Sequence, residues 1–443
     1  MMKLTGLGLI ALSLLASAFL FARLPATPDP LALTSQWVGT VALILMAWAQ
    51  IMATRLPGVE TVFGPLDRVY VLHKWSGIIA MAAMLIHDTV DADIRGFDGG
   101  LLADFGETLG EVSLYGLLIL AVISVATFIP YHLWKWTHKA MGAFFIAGSV
   151  HAFLIAKPFA MTDPLGLYLY AVCGLGALAY VYTLLPETMR PTHQYTVAAV
   201  TQTGGATEVT LAPVNRGLRH QPGQFALLRF PLAGGLEGHP FTLSAAPRDD
   251  GRISVTIKSL GDHTRRMTKA LEVGQDAIVQ GPFGRFTIPK GKRPQVWIAG
   301  GIGITPFVPW AEALPKQGAE CHLIYCVRAR SQAPHLERIE VLAASNQRLH
   351  VHLVDTSQGP RLSSDMVAEI VGLDLLEEAN VAFCGPAALR ETLRAGLSTY
   401  GVTARRFHFE AFEFRTGVGL EALALWLGKR AWAQVPKLTG RLG

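Results

Sequence analysis

The 443 residues carry 38 Lys and Arg against 33 Asp and Glu, a net charge of +5, with 51% hydrophobic and only 16% charged residues. That balance excludes a disordered chain and, because the cations are scattered, a nucleic-acid binder built on a basic patch. Cys173, Cys321, Cys326 and Cys384 form no CxxC pair, which argues against a disulfide framework or a zinc site.

The averages hide two unlike halves. Up to about Leu185 the chain is a series of apolar runs, near 5–22, 36–54, 69–88, 113–130, 138–156 and 165–185. Each is close to the ~20 residues that a hydrocarbon core demands, so six membrane spans are expected. The first run also has the outline of a signal peptide, with Lys3, an apolar centre and small residues around Ala16 and Ser17; a retained helix is the preferred reading. An even number of spans leaves the N-terminus and the second half on one side. Lys3, Arg55, Arg68, Lys74, Lys135, Lys139 and Arg190 make that side the cytoplasm, against Arg23, Arg95 and Lys157 opposite. Trp134 and Trp136 suit the aromatic belt, and His132 reads as an interface residue.

Within these runs four histidines stand out. His73 and His87 lie near the two ends of the third run, and His138 and His151 near the two ends of the fifth. One isolated imidazole in a membrane is readily explained by a hydrogen bond to a neighbouring helix. Two pairs at matched depths, on helices that run in the same direction, point instead to ligation. Each level offers two neutral imidazoles across an interhelical gap, the requirement of six-coordinate haem iron, so His73/His138 and His87/His151 are the candidate metal ligands. The fourteen-residue spacing of His73 and His87 keeps them on one helix face. Thirteen residues leave His138 and His151 roughly 140° apart in a straight helix, and Gly142 and Gly148 between them would allow a local distortion. The axial rise separates the two levels by about 20 Å.

From about His193 to Ile288 short β-rich runs follow (YTVAAVTQT, TEVTLAPV, QFALLRF, RISVTIKSL, QDAIVQGPFG), punctuated by turn residues as in an antiparallel barrel. HPFTLSAAP, from His239, and KSLGDHT, from Lys258, are the candidate chemical segments here; backbone groups near Gly261 and the Thr264 hydroxyl could hold a pyrophosphate. VWIAGGIGITPF then runs an apolar strand into Gly300, Gly301 and Gly303, with Thr305 and Pro306 opening a helix, an arrangement that lets backbone approach a phosphate. Strands HLIYCVRAR, LHVHLVD and VAFCGP alternate with helices near 334–344, 363–371 and 387–399, which predicts a doubly wound sheet with its ligand at the strand C-termini. Arg328 and Arg330 suit the 2′-phosphate of NADPH, with NADH as the alternative.

HPFT, GPFG, GGIGITP and CGP, in this order, resemble the ferredoxin–NADP reductase superfamily. Joined to six helices with two histidine pairs, the chain resembles the NADPH oxidase/ferric reductase family over roughly residues 35 to 415. The resemblance implies an FAD site with His239, Pro240, Phe241, Thr242 and Ser244 at its flavin motif, Thr242 beside the isoalloxazine and Gly261 and Thr264 near the pyrophosphate. It implies that Gly300, Gly301, Gly303 and Thr305 form the pyridine-nucleotide loop and that Cys384, Gly385 and Pro386 lie beside the nicotinamide. Family members often end on an aromatic residue that covers the flavin. Here FEAFEF is followed by 29 more residues, so Phe414, then Phe412, is the candidate cover. Asp91 stands where eukaryotic oxidases carry a further histidine near the oxygen site.

The domains expected are a haem-binding transmembrane bundle (1–188), an FAD barrel (189–290), a nucleotide domain (291–415) and a basic amphipathic tail (416–443). Leu420, Leu423, Trp426 and Leu427 with Lys429, Arg430, Lys437 and Arg441 suit a tail helix on the membrane surface. The implied activity moves electrons from cytoplasmic NADPH through FAD and two b-type haems to an acceptor beyond the membrane, taken here as the bacterial inner membrane. Oxygen, giving superoxide, is the first acceptor expected, and a ferric chelate the second. A haem-free, membrane-anchored flavoreductase is the rival from another class.

Overall fold

The computed structural model describes residues 3–25, 29–90, 100–125, 129, 131–186, 189–231, 238–259, 262–289 and 291–410. The expectations for Asp91, Gly261, Phe412, Phe414 and the tail from 416 lie outside the described residues. Two units are described by themselves, one formed by the helical first half and the other by Pro186–Phe412.

The first unit is helical: α1 (Leu4–Ala22), α2 (Pro30–Ala53), the short α3 (Pro57–Phe63), α4 (Leu66–Thr89), α5 (Gly100–Val125), α6 (Tyr131–Leu154) and α7 (Pro164–Leu184). The helices start before the apolar runs do. Pro30 and Pro164 sit in the first turn, where the missing N–H costs nothing. Asp104, Glu107 and Glu111 fall in the first half of α5 and interrupt its apolar run there. Among the described residues five helices are long and apolar enough to cross a membrane, against the six expected. The remaining expected span, α6, begins YHLWKWTHK, and two lysines with two histidines lower its apolarity. α2 packs along α4, and α5 along α6.

Close packing there uses glycine. A Cβ on Gly142 would stand 2.1 Å from the Tyr180 ring, and one on Gly148 2.9 Å from Ser113 Oγ. Both residues are therefore helix contacts, within an α6 that is helical from Tyr131 to Leu154.

The second unit contains two sheets. β1 (His193–Thr203), β2 (Ala206–Pro213), β3 (Phe225–Arg229), β4 (His239–Thr242), β5 (Ile253–Ile257) and β6 (Asp276–Phe283) form an antiparallel sheet in the order β4-β3-β6-β1-β2-β5, with α8 (Asp262–Ala270) beyond β5. An isolated bridge from Leu243 to Val255 links the chain just past one edge strand to the other edge. Gly204 and Gly205 turn the β1–β2 hairpin with φ of 47° and 73°, a conformation cheap only without a Cβ. Alternating inward residues, among them Tyr195, Val197, Val209, Leu211, Leu228 and Val255, make its core.

The other sheet is parallel: β7 (Gln295–Gly300), β8 (Cys321–Val327), β9 (Leu349–Asp355), β10 (Asn380–Cys384) and β11 (Phe407–Glu410), in the order β11-β10-β7-β8-β9. α9 (Phe307–Glu312), α10 (Leu336–Ser345), α11 (Ser364–Val371), α12 (Leu373–Glu378) and α13 (Ala387–Thr399) connect its strands. Separate apolar cores cover its two faces, one around Trp297, Phe307 and Trp310, the other around Ile298, Phe383 and Leu393. Such strands, buried on both faces, read as continuous apolar runs. After β9 the chain crosses back to lay β10 on the opposite side of β7, so the switch in strand order falls between the C-terminal ends of β7 and β10.

Candidate functional site

The four membrane histidines meet as two facing pairs. The His73 and His138 ring centres are 5.9 Å apart, and those of His87 and His151 are 6.2 Å apart. A metal held at about 2.0 Å by one nitrogen of each ring, with roughly 1 Å more from nitrogen to ring centre, needs trans centroids about 6 Å apart. Both pairs meet that requirement.

Each ring is also held by its second nitrogen. His73 Nδ1–H donates to the Ala49 carbonyl (3.0 Å), His87 Nδ1–H to the Ser35 carbonyl (2.9 Å) and His151 Nδ1–H to the Gly106 carbonyl (2.9 Å). His138 Nδ1 lies 3.2 Å from Ser124 Oγ, and its ring stacks on Trp134. A carbonyl can only accept, so three of the four rings carry their proton on Nδ1 and leave Nε2 as the ligating nitrogen, the arrangement that metal-binding histidines need. α2 thus orients both rings of α4, and α5 both rings of α6. The donor set fits haem iron.

Two glycines complete the His87/His151 level. Gly39 lies one turn after Ser35, and a Cβ there would stand 3.2 Å from the His87 ring; Gly110 lies one turn after Gly106, and its Cβ would come within 2.6 Å of His151 Nδ1. Ser35, Ala49, Gly106, Ser124, Gly39 and Gly110 were not singled out from the sequence. A small residue in an apolar helix carries no mark until the helix facing it is known.

In the antiparallel sheet the HPFT segment is β4, paired through Phe225–Thr242, Ala226–Phe241, Leu227–Pro240 and Leu228–His239. Pro240 is tolerated because β4 is an edge of the sheet. Thr242 is buried, and its Oγ1 has no hydrogen-bond partner among the described residues. A buried hydroxyl left without a partner suits one that a bound ligand completes. Ser244 is fully buried and accepts from Thr256 Oγ1 at 2.9 Å, so it is committed to the protein's own network. Thr264 sits in α8, partly buried. Arg229, buried on β3 with Nη2 donating to Gln280 at 3.3 Å, is a cation beside β4 that the sequence did not mark.

In the parallel sheet the two nucleotide motifs converge at the switch point. A Cβ on Gly303 would meet the Cys384 carbonyl at 2.1 Å, and one on Gly300 would meet Pro386 Cδ at 2.7 Å. Only glycine lets the Gly300–Gly303 backbone lie against Cys384, Gly385 and Pro386 so closely. Gly301, at φ 56°, begins a turn of 3-10 helix, and Thr305 follows with its Oγ1 donating to the Ile302 carbonyl. Lys258, just past β5, brings its Nζ to 3.8 Å from where a Gly301 Cβ would be, a contact between the two sheets that spacing did not foretell. Cys384 is fully buried; that burial, and then the Glu410 carboxylate, push its thiol well up, so it stays protonated and is no nucleophile. Arg328 is exposed one residue past β8, with no ion pair among the described residues. Arg330 is paired with Glu340 at 2.7 Å, and its backbone N–H donates to Asp355.

With this geometry in place, comparison with known families is decisive for the broad class. Residues 38–149 match the ferric reductase like transmembrane component, 180–302 an FAD-binding domain and 297–395 an oxidoreductase NAD-binding domain. The chain joins a ferric reductase-like membrane domain to an FAD- and NAD-binding oxidoreductase module. Relatives include oxidoreductase NdmD of Pseudomonas putida, 29% identical over 52% of this chain and 38% of its own length. The stachydrine N-demethylase reductase subunit Stc4 of Rhizobium meliloti is 28% identical over 46% of this chain and 62% of its own. A flavohemoprotein of Deinococcus radiodurans is 28% identical over 46% of this chain and 55% of its own. The chain thus spans less than two thirds of the length of each of these relatives.

Proposed function

We propose that the protein carries electrons across a membrane, from cytoplasmic NADPH to a one-electron acceptor on the far side. The observation that carries this reading is the pair of facing histidine couples, each ring tied by Nδ1 to a neighbouring helix. When bound, FAD takes a hydride and haem b accepts single electrons, chemistry that the polypeptide itself does not supply.

The chain's part is to hold and orient. His73 and His138 serve one haem, His87 and His151 the second. Thr242, with His239, Pro240 and Phe241, lines the flavin, and Thr264 and Gly261 serve its phosphates. Gly300, Gly301, Gly303 and Thr305 admit the nucleotide phosphates to bare backbone, Cys384–Pro386 flank the nicotinamide, and Arg328 reads the 2′-phosphate. Phe414 is the candidate cover of the flavin. No acid or base is required, because hydride transfer is governed by approach and alignment. In this reading there are six spans, α6 joining the other five, with both termini on the cytoplasmic side of a bacterial inner membrane and the domains divided near 188, 290 and 415.

Dioxygen and ferric chelates are the two acceptors that this arrangement suits. The test is NADPH oxidation by the purified protein in liposomes, with oxygen, with a ferric chelate and with neither. Reduction of the flavin and then of haem without acceptor, and its reversal by one of the two, is the expected result. Flavin reduction that never reaches a haem band refutes transmembrane transfer and leaves a flavoreductase.

A further inference from the structure

The parallel sheet carries a second set of nitrogen and oxygen donors at the end away from Gly300–Gly303. β9 reads LHVHLVD, and the two-residue period of a strand puts His350 and His352 on one face. β8 lies beside it in parallel with His322 opposite His350 and Ile324 opposite His352, which brings a third imidazole to the same face. The His322 ring centre is 4.8 Å from that of His350 and 5.3 Å from that of His352, the latter pair stacked. Glu320, just before β8, completes the group: one donor atom each from Glu320, His322 and His350 lie within 4.8 Å of one another.

The details are those of a ligand set. His322 is buried, its Nδ1 is engaged with His352 Nε2 at 3.1 Å, and its Nε2 has no hydrogen-bond partner among the described residues. That Nε2 faces Glu320 Oε2 at 3.5 Å. Tetrahedral zinc, at about 2.1 Å from nitrogen and oxygen, holds such atoms about 3.4 Å apart. His352 stands where the orienting partner of a metal-bound imidazole belongs.

We propose that Glu320, His322 and His350 form a site for one divalent transition metal ion, zinc by preference, with His352 positioning the His322 ring. Two imidazoles and one carboxylate suit zinc and its neighbours; magnesium and calcium require more oxygen donors than the cluster offers. Three protein ligands leave the fourth position to water. The five residue-to-residue steps along β8 from His322 to Val327 place the site roughly 16 Å from the nucleotide end of the sheet, so the ion takes no part in hydride transfer. It clips β9, an edge strand, to β8.

The test uses the full chain in detergent with its flavin and haem, freed of loose metal by chelator and titrated calorimetrically with zinc. Expected are one zinc per chain and a zinc-edge X-ray absorption spectrum with two imidazoles and a carboxylate. His352→Ala should weaken binding about 10- to 100-fold. Because His322 is buried and its loss could disturb the fold, Glu320→Gln and His350→Ala carry the decisive comparison. Zinc should raise the melting temperature of the wild type and not that of the double variant. Absence of saturable zinc binding by the folded wild type, or equal affinity and stoichiometry in the double variant, overturns the site.

Discussion

Gly110→Ala tests how the His87/His151 pair is held. The added Cβ would stand 2.6 Å from His151 Nδ1 and 2.8 Å from Cε1, so the ring must retreat by roughly 1 Å to regain ordinary contact. Nδ1 now lies 2.9 Å from the Gly106 carbonyl. A retreat of that size ends the hydrogen bond, since contacts near 3.6 Å no longer count as one. Overpacking costs about 1–3 kcal/mol, and loss of the orienting partner lowers metal affinity about 10- to 100-fold. Gly39→Ala needs only a few tenths of an ångström from the His87 ring, at 3.2 Å, and should be milder. Gly174, whose Cβ would meet nothing within 4 Å, supplies a control in the same kind of helix. Haem content per protein and redox titration are the assay. Loss or a shifted potential of one haem in Gly110→Ala, with the other haem and the Gly174→Ala protein unchanged, is expected. Two haems with unaltered potentials in Gly110→Ala would refute the claim that this glycine sets the ring.

Thr242→Val should weaken flavin binding or slow its reduction while both haems remain; flavin content and the haem spectrum, measured on one sample, check it. Arg328→Ala should erode the preference for NADPH over NADH, and Arg330→Ala should do so less because Glu340 already engages that side chain; the ratio of kcat/KM for the two nucleotides decides. Burial, and then Arg338 beside it, hold the His335 imidazole down at about 4 from its ordinary 6.5, and its Nε2 meets Thr256 Oγ1 at 2.7 Å. Between those two values the unfolded chain takes up the proton and the folded one resists it, so this contribution to stability is present above pH 6.5 and is lost as pH falls towards 4. The loss is on the order of 3 kcal/mol, and His335→Gln should flatten the fall of melting temperature with acid over that window.

Much of this was open to reading before the fold. An ionisable ring within an apolar run is conspicuous, so the two histidine pairs could be named and matched by depth. Gly300–Gly303 and Cys384–Pro386 are 80 residues apart, yet strand alternation alone put both at strand C-termini, where the switch between β7 and β10 brings them together. What stayed hidden depended on which element faces which. Ser35 and Gly106 orient histidines through their backbone carbonyls, which every residue has. The ideal straight-helix spacing placed His138 and His151 roughly 140° apart, yet both rings face a partner from an unbroken α6. Lys258 reaches the Gly301 turn only through packing of one sheet on the other, and His322 joins His350 only through the β8–β9 register.

The haem-to-protein ratio of the purified, intact chain decides whether the two histidine pairs hold haem. Two b-type haems per chain are expected, both low-spin as bis-imidazole ligation requires, falling to one in His87→Ala or His151→Ala while NADPH still reduces the flavin. A ratio of one or none in the intact protein, or retention of both haems after either substitution, would contradict it.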